Sequence, residues 1–96
     1  MAPQATVSFE KAKRLEPEKA SIREALGIAY YRTTHWAAAE AEFRKVLELS
    51  PVNDYAHYAL GRALQKQGRE AEAVRYLTLA KWLRPRGPDE PTIEDD

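Results

Sequence analysis

The segments EALGIAYYRTTHWAAAEAEF and YALGRALQKQGREAEAVRYL align at an offset of 34 residues. Leu26 and Gly27 recur as Leu60 and Gly61, and Tyr30 falls opposite Leu64. Three-fold matches extend the period: Ala5, Ala39 and Ala73; Phe9, Phe43 and Leu77; Leu15, Leu49 and Leu83; Pro17, Pro51 and Pro85. Ala12, Val46 and Ala80 keep a small apolar residue in one phase. A period of this length commits a chain to one supersecondary unit per repeat, because no unit alone can bury its apolar face.

Each unit reads as helical. Ile22, Ala25, Leu26, Ala29 and Tyr30 fall at three- and four-residue spacing, as do Ala39, Phe43, Val46 and Leu47, and Ala73, Leu77 and Ala80. A proline has no backbone donor and biases its predecessor away from the α region, so helices end just before Pro17, Pro51 and Pro85. Five helices follow, over 4–15, 20–33, 36–49, 54–67 and 70–83. Ser21 and Asn53 are expected as N-caps, and Gly68 as the turn before the last helix.

With 96 residues the chain has room for one core. It has no cysteine, which excludes disulfides and thiolate-held metals and fits a reducing, cytoplasmic setting. No stretch approaches the ~18 apolar residues of a membrane span, and the N-terminus has no signal-peptide-like apolar run. The net charge of zero hides an asymmetry. Residues 1–86 hold all 15 Lys and Arg but ten Asp and Glu, a net of +5, and residues 87–96 hold the other five acids and no base, −5. Three prolines and five acids in RPRGPDEPTIEDD lead us to expect disorder there.

The period and the recurring Leu-Gly, Ala, Phe and Pro positions make the chain resemble a tetratricopeptide repeat protein over residues 4–85. The first full unit supplies Leu26, Gly27, Tyr30, Ala39, Phe43 and Pro51, and the second Leu60, Gly61, Leu64, Ala73, Leu77 and Pro85. The resemblance implies an all-α fold of antiparallel helix-turn-helix units stacked as a short right-handed superhelix. On this reading residues 1–86 form one domain, with a half repeat at 4–19, full repeats at 20–53 and 54–86, and an acidic tail at 87–96. The family's tryptophan position holds Arg23 in one unit and His57 in the other, a change expected to loosen packing without altering topology. Gly27 then marks the closest approach of paired helices: a side chain there would strike the helix carrying Ala39 and Phe43. Packing gained at the crossing offsets the ~1 kcal/mol that an interior glycine costs a helix.

Catalysis finds little support in the residues. His35 and His57 are 22 positions apart without an acidic cluster at ligand spacing, so they read as a turn residue and a partly buried helix residue, not metal or acid–base groups. Ser8, Ser21 and Ser50 lack a nucleophile motif, and no glycine-rich phosphate loop is present. No enzyme activity, metal or cofactor is expected.

Recognition is the better prospect. In the resembled family the first helix of each unit lines a concave groove that holds an extended peptide. The matching residues are Ser21, Glu24, Ala25, Ile28, Tyr31 and Arg32 from one unit, and Tyr55, Tyr58, Ala59, Arg62, Gln65 and Lys66 from the next. Tyrosine and arginine are enriched in binding hot spots, although exposed tyrosines also cover the edges of ordinary cores. The clamp by which chaperone-binding members hold a terminal carboxylate is absent, since Glu24, Ile28 and Ala59 fill three of its positions. At the ends, Phe9 lacks a covering partner helix and Trp82 stands where Arg14 and Glu48 do, so self-association through the end helices is a further expectation. Competing readings are an accessory or regulatory domain of a larger assembly, and weak nucleic-acid binding, which the scattering of basic residues over many faces disfavours. The acidic tail has two readings: a solubilising segment, or one lying across Arg32, Arg62 and Lys66 to compete with an acidic ligand.

Overall fold

The computed structural model describes residues 2–83, with side chains from residue 6 onward. They form five helices: α1 (Ala2–Leu15), α2 (Ala20–Arg32), α3 (Trp36–Leu49), α4 (Asp54–Lys66) and α5 (Glu70–Leu83). The bounds agree with the spacing-based expectation to within two residues. The expected disorder of residues 87–96 falls outside the described residues.

Successive helices pack as antiparallel neighbours, and α2 also touches α4 directly across α3. The chain therefore stacks hairpins, with α2 and α4 running the same way on one side. The core is made of small residues and a few large ones. Leu26, Ala39, Phe43, Val46, Ala56, Ala59, Leu60, Ala63, Leu64 and Ala73 have no solvent exposure. Five alanines among these ten let backbones approach closely, and Phe43 and the leucines fill what remains.

Gly27 and Gly61 explain themselves here. A Cβ built on Gly27 would lie 2.8 to 3.0 Å from three carbons of the Phe43 ring, and one on Gly61 would lie 2.6 Å from Leu77 Cδ2. Carbon atoms rest ~3.5–4.0 Å apart, so neither position has room for a methyl group.

The caps differ in part from expectation. Asn53 caps α4, its side chain accepting from the Ala56 N–H at 3.0 Å. Ser21 does not cap α2: the cap position is Lys19, which makes no side-chain cap bond, and Ser21 is exposed within the first turn. The helix starts two residues earlier than a serine cap requires, and the Lys19 carbonyl accepts from the Ile22 and Arg23 amides. The turns inside the two hairpins are equivalent. Thr34 (φ 64°) and Gly68 (φ 78°) are both left-handed. The amide after each closes on a carbonyl five residues back, His35 on Tyr30 and Arg69 on Leu64. Glycine adopts this conformation freely, whereas a β-branched threonine is strained in it.

Candidate functional site

The residues expected to line a groove lie on α2 and α4, the two parallel helices of the stack. Ile28, Glu24, Tyr55, Tyr58, Arg62 and Gln65 are half-buried, while Arg32 and Lys66 are exposed. Tyr31 differs from that expectation: with 6% exposure it belongs to the core, packed with Ala39, Phe43 and Leu60. A bulky ring at a position facing both α3 and α4 is drawn inward, because burying it removes far more apolar area from water than a groove wall would. Burial raises the pKa of its phenol, and neighbouring Arg62 pulls it back down.

The tyrosine rings of Tyr55 and Tyr58 lie 6.3 Å apart, tilted by 46°, a favourable aromatic arrangement, and both pack on the core. Arg62 donates to the Gln65 side chain one turn along α4. At the other end of the same face, burial raises the Glu24 pKa and the nearby negative charge of Asp54 raises it further. The α2–α4 face is thus electrically polar: Glu24, Asp54 and Tyr55 lie by the first turn of α4, Tyr58 follows one turn on, and Arg62, Lys66 and Arg32 lie toward the helix C-termini.

The opposite side of the stack holds a feature that spacing alone did not reveal. The tryptophan position is not a loosened spot. Arg23 Nη1 donates to Glu42 at 3.2 Å, Lys13 bonds the other Glu42 oxygen at 2.9 Å, and Arg23 Nε reaches the Pro17 carbonyl at 3.1 Å. Thirty-four residues on, His57 Nε2–H donates to the Pro51 carbonyl at 2.9 Å and its ring stacks on Tyr76, centroids 6.0 Å apart. Each unit therefore ties its first helix to the preceding proline turn by a hydrogen bond to the proline carbonyl, and to its own second helix through a nearly buried ion pair in one unit and an aromatic pair in the other. Glu42 is missed by a hydropathy reading because it looks like an ordinary solvated carboxylate, yet its side chain is only 7% exposed. The detectable signal was covariation between repeats: Arg23 with Glu42, and His57 with Tyr76, at one offset.

Polar pairs also fasten each junction. Tyr30 donates to Glu10. That bond holds the Glu10 carboxyl below its usual range and pushes the Tyr30 phenol up to about 12. Glu40 accepts from Gln67 (2.9 Å), Arg69 (2.7 Å) and Arg44 (2.9 Å). Burial pulls its pKa upward, but the three hydrogen bonds outweigh that and hold it low. At the ends, Phe9 is half-buried, whereas Trp82 is 81% exposed beside exposed Val74 and Leu79. Among the described residues no group of three His, Cys, Asp or Glu is placed to hold a metal ion, and no helix is long and apolar enough to cross a membrane.

An all-helical array of antiparallel hairpins, packed through small-residue seams at a fixed period, is a helical-repeat protein. The tetratricopeptide repeat family model matches residues 24–91, and the chain belongs to that family. Such repeats generally mediate protein–protein interaction and typically serve as non-catalytic scaffolds. Residues of this chain are also similar to Protein O-mannosyl-transferase TMTC4 of Mus musculus, with 36% identity over 45 residues. That match takes in 47% of this chain and spans 6% of the relative's length.

Proposed function

We propose that this chain is a protein-interaction module that holds an extended segment of a partner protein along the α2–α4 face. The observation carrying the reading is the Tyr55–Tyr58 pair, half-buried on the core and bordered by Ile28, with opposite charges at the two ends of the same face. Rigid aromatic side chains contribute contact area at low entropic cost, and flanking charges fix the direction in which a ligand lies. With two lining helices the contact is small, which favours short segments and affinities in the micromolar range. The test is a fluorescence-anisotropy panel of labelled decapeptides of varied charge, read against the intact chain and against Tyr55→Ala/Tyr58→Ala. Binding to the intact chain and its loss in a variant with unchanged helical circular dichroism support the reading. Equal binding to both refutes it.

The 81% exposure of Trp82 favours a second contact, at the end helices. Self-association there predicts a dimer by light scattering at high micromolar concentration that Trp82→Ala abolishes; a monomer at that concentration removes this reading. Charge-driven nucleic-acid binding predicts affinity that disappears at physiological salt.

A further inference from the structure

We propose that the outer face of α5 is a docking site for an acidic amphipathic helix of a partner protein. The inference rests on the second contact named above and assigns its occupant; it is independent of the α2–α4 groove.

α1 and α3 show which phase of such a helix receives a neighbour. Glu10 and Lys13 pair forward from α1 with Tyr30 and Glu42, and Glu40 and Arg44 pair forward from α3 with Gln67 and Tyr76. One period on, these phases carry Val74, Thr78 and Lys81, and all three are exposed. A face meant for water would keep the polar residues that α3 has. Instead α5 replaces Glu40 by Val74, Lys45 by Leu79 and Glu48 by Trp82, three charges by three apolar side chains, on the last of the described helices. Val74 is 57% exposed and Trp82 81%, and a contiguous apolar patch of this kind marks an interaction site.

Trp82 also says what the neighbour is not. Its phase holds Arg14 and Glu48, which stay exposed on α1 and α3 although a following unit packs on both. A further repeat stacked in register would therefore leave Trp82 in water. A helix lying along the middle of the outer face would cover it. At about 100° per residue, Ala71, Val74, Thr78 and Trp82 fall within roughly 80° of arc, at spacings of three, four and four. This is the seam spacing along which one helix packs on another, and the small Ala71 and Thr78 let the axes approach. Arg75 and Lys81 flank the seam on opposite sides.

Charge then selects the occupant. Arg75 and Lys81 are exposed and make no hydrogen bond or ion pair among the described residues. The acids of α5 are already engaged, Glu70 accepting from Gln65 and Glu72 from Arg69. A second copy pairing α5 with α5, antiparallel about Thr78, would set each Arg75 against the other copy's Lys81, like charge on like charge. Stacking α5 on the open flank of α1 would meet exposed Lys11 and Arg14. A lipid surface would have to bury Arg75, whose phase falls between those of Val74 and Leu79. A partner helix with carboxylates on both sides of an apolar stripe satisfies both cations while the stripe covers Val74 and Trp82. Tryptophan and arginine are the residue types most enriched as anchors of such contacts. One helix against one is a small interface, so the complex is weak and exchanges quickly.

The test adds a stapled helical peptide, with leucines at three- and four-residue spacing and glutamates on both sides of them, to the isotope-labelled full chain and reads NMR shifts. Expected are shifts at the Val74, Arg75, Thr78 and Lys81 amides and at the Trp82 indole N–H, with none at Val7. Trp82→Ala abolishes them. Arg75→Glu/Lys81→Glu weakens the peptide at least about tenfold. That variant also binds a lysine version of the same peptide that the wild type rejects, a rescue that damage to the fold cannot mimic. No shifts at about 1 mM peptide, equal affinity for the glutamate and lysine versions, or shifts confined to Ile28 and Tyr58 overturn the proposal. A dimer of the chain alone that Trp82→Ala disrupts also overturns it, giving the face to another copy and leaving the self-association reading standing. Flotation on anionic phospholipid vesicles without peptide binding gives the face to a lipid surface and overturns it as well. Tyr55→Ala/Tyr58→Ala leaves the shifts unchanged, so the groove reading stands or falls separately on its own panel.

Discussion

Gly27→Ala adds one methyl group to a helix that would otherwise welcome it. In isolation the change stabilises by about 1 kcal/mol through helix propensity. Here the new Cβ arrives 2.8, 2.9 and 3.0 Å from three Phe43 ring carbons, an overlap of roughly 0.5–1 Å with ordinary contact distance. Phe43 has no exposure and is locked among Tyr31, Ala39 and Leu60, so the ring cannot swing toward solvent. Overpacking of this kind costs ~1–3 kcal/mol, which leaves a net destabilisation of up to about 2 kcal/mol. For a domain of this size that corresponds to a fall in melting temperature of up to roughly 15 °C. Circular-dichroism melts measure it directly, and a Phe43→Leu background isolates the cause: with the ring gone, Gly27→Ala should be neutral or stabilising. A Gly27→Ala melt at or above the wild-type temperature, or the same loss in both backgrounds, refutes the reasoning.

Thr34→Gly removes a β-branched residue from a left-handed turn that its equivalent Gly68 occupies without strain; it should raise stability by about 0.5–1 kcal/mol in urea titration, and a loss would mean the threonine is held there by contacts worth more than the strain. Arg23→His and Glu42→Tyr each leave a charge of a nearly buried pair behind and should cost ~1–3 kcal/mol alone, whereas the double variant copies the His57–Tyr76 pair and should recover at least half; strict additivity in the cycle contradicts the equivalence. The folded-state pKa of Glu24 is raised, so the native state holds that proton more tightly than the unfolded chain, and wild-type stability declines relative to Glu24→Gln as pH rises above the ordinary carboxyl range. Urea midpoints of both proteins between pH 4 and 7 check this; a difference independent of pH removes the assignment. Glu10 and Glu40, held low, act oppositely and contribute stability that is lost as pH falls through that range.

The stacked-helix architecture was legible because it depends on periodicity, and periodicity survives substitution. Three-residue and four-residue spacings fix each helix, prolines fix the ends, and the 34-residue offset fixes which helices meet. The site was legible only in outline. Sequence spacing placed Tyr31 and Tyr58 on corresponding faces, but their rings take different surroundings: Tyr31 is buried within the core cluster, whereas Tyr58 packs half-buried against its edge. Helical phase gives direction around one axis and does not say how many neighbours crowd that direction. Ser21 failed as a cap for a related reason. A residue's capping chemistry is local, while the first residue to join α2 is set by where the Pro17 turn releases the chain.

The departures from the repeat pattern are compensated in pairs, and this bears on what can stack next. Arg23 and His57 differ in every property except the ability to donate to a proline carbonyl, and each has a matched partner, Glu42 or Tyr76, at the same offset. Glu10 and Arg44 occupy one phase with opposite charge, and each finds its own phenol across the junction, Tyr30 or Tyr76. Junctions are therefore specified by polar matching laid over a generic apolar seam. The corresponding phase of α5 carries Thr78, with Val74 where α3 has Glu40 and Lys81 where it has Leu47. A unit resembling the first would find no carboxylate at Thr78 for its Tyr30, but its Glu42 would meet Lys81, which shares the phase of Lys13, the lysine bonded to Glu42 across the first junction. Whatever covers Val74, Leu79 and Trp82 meets an apolar surface carrying two cations, Arg75 and Lys81, which keeps the lysine of the first junction and lacks its carboxylate.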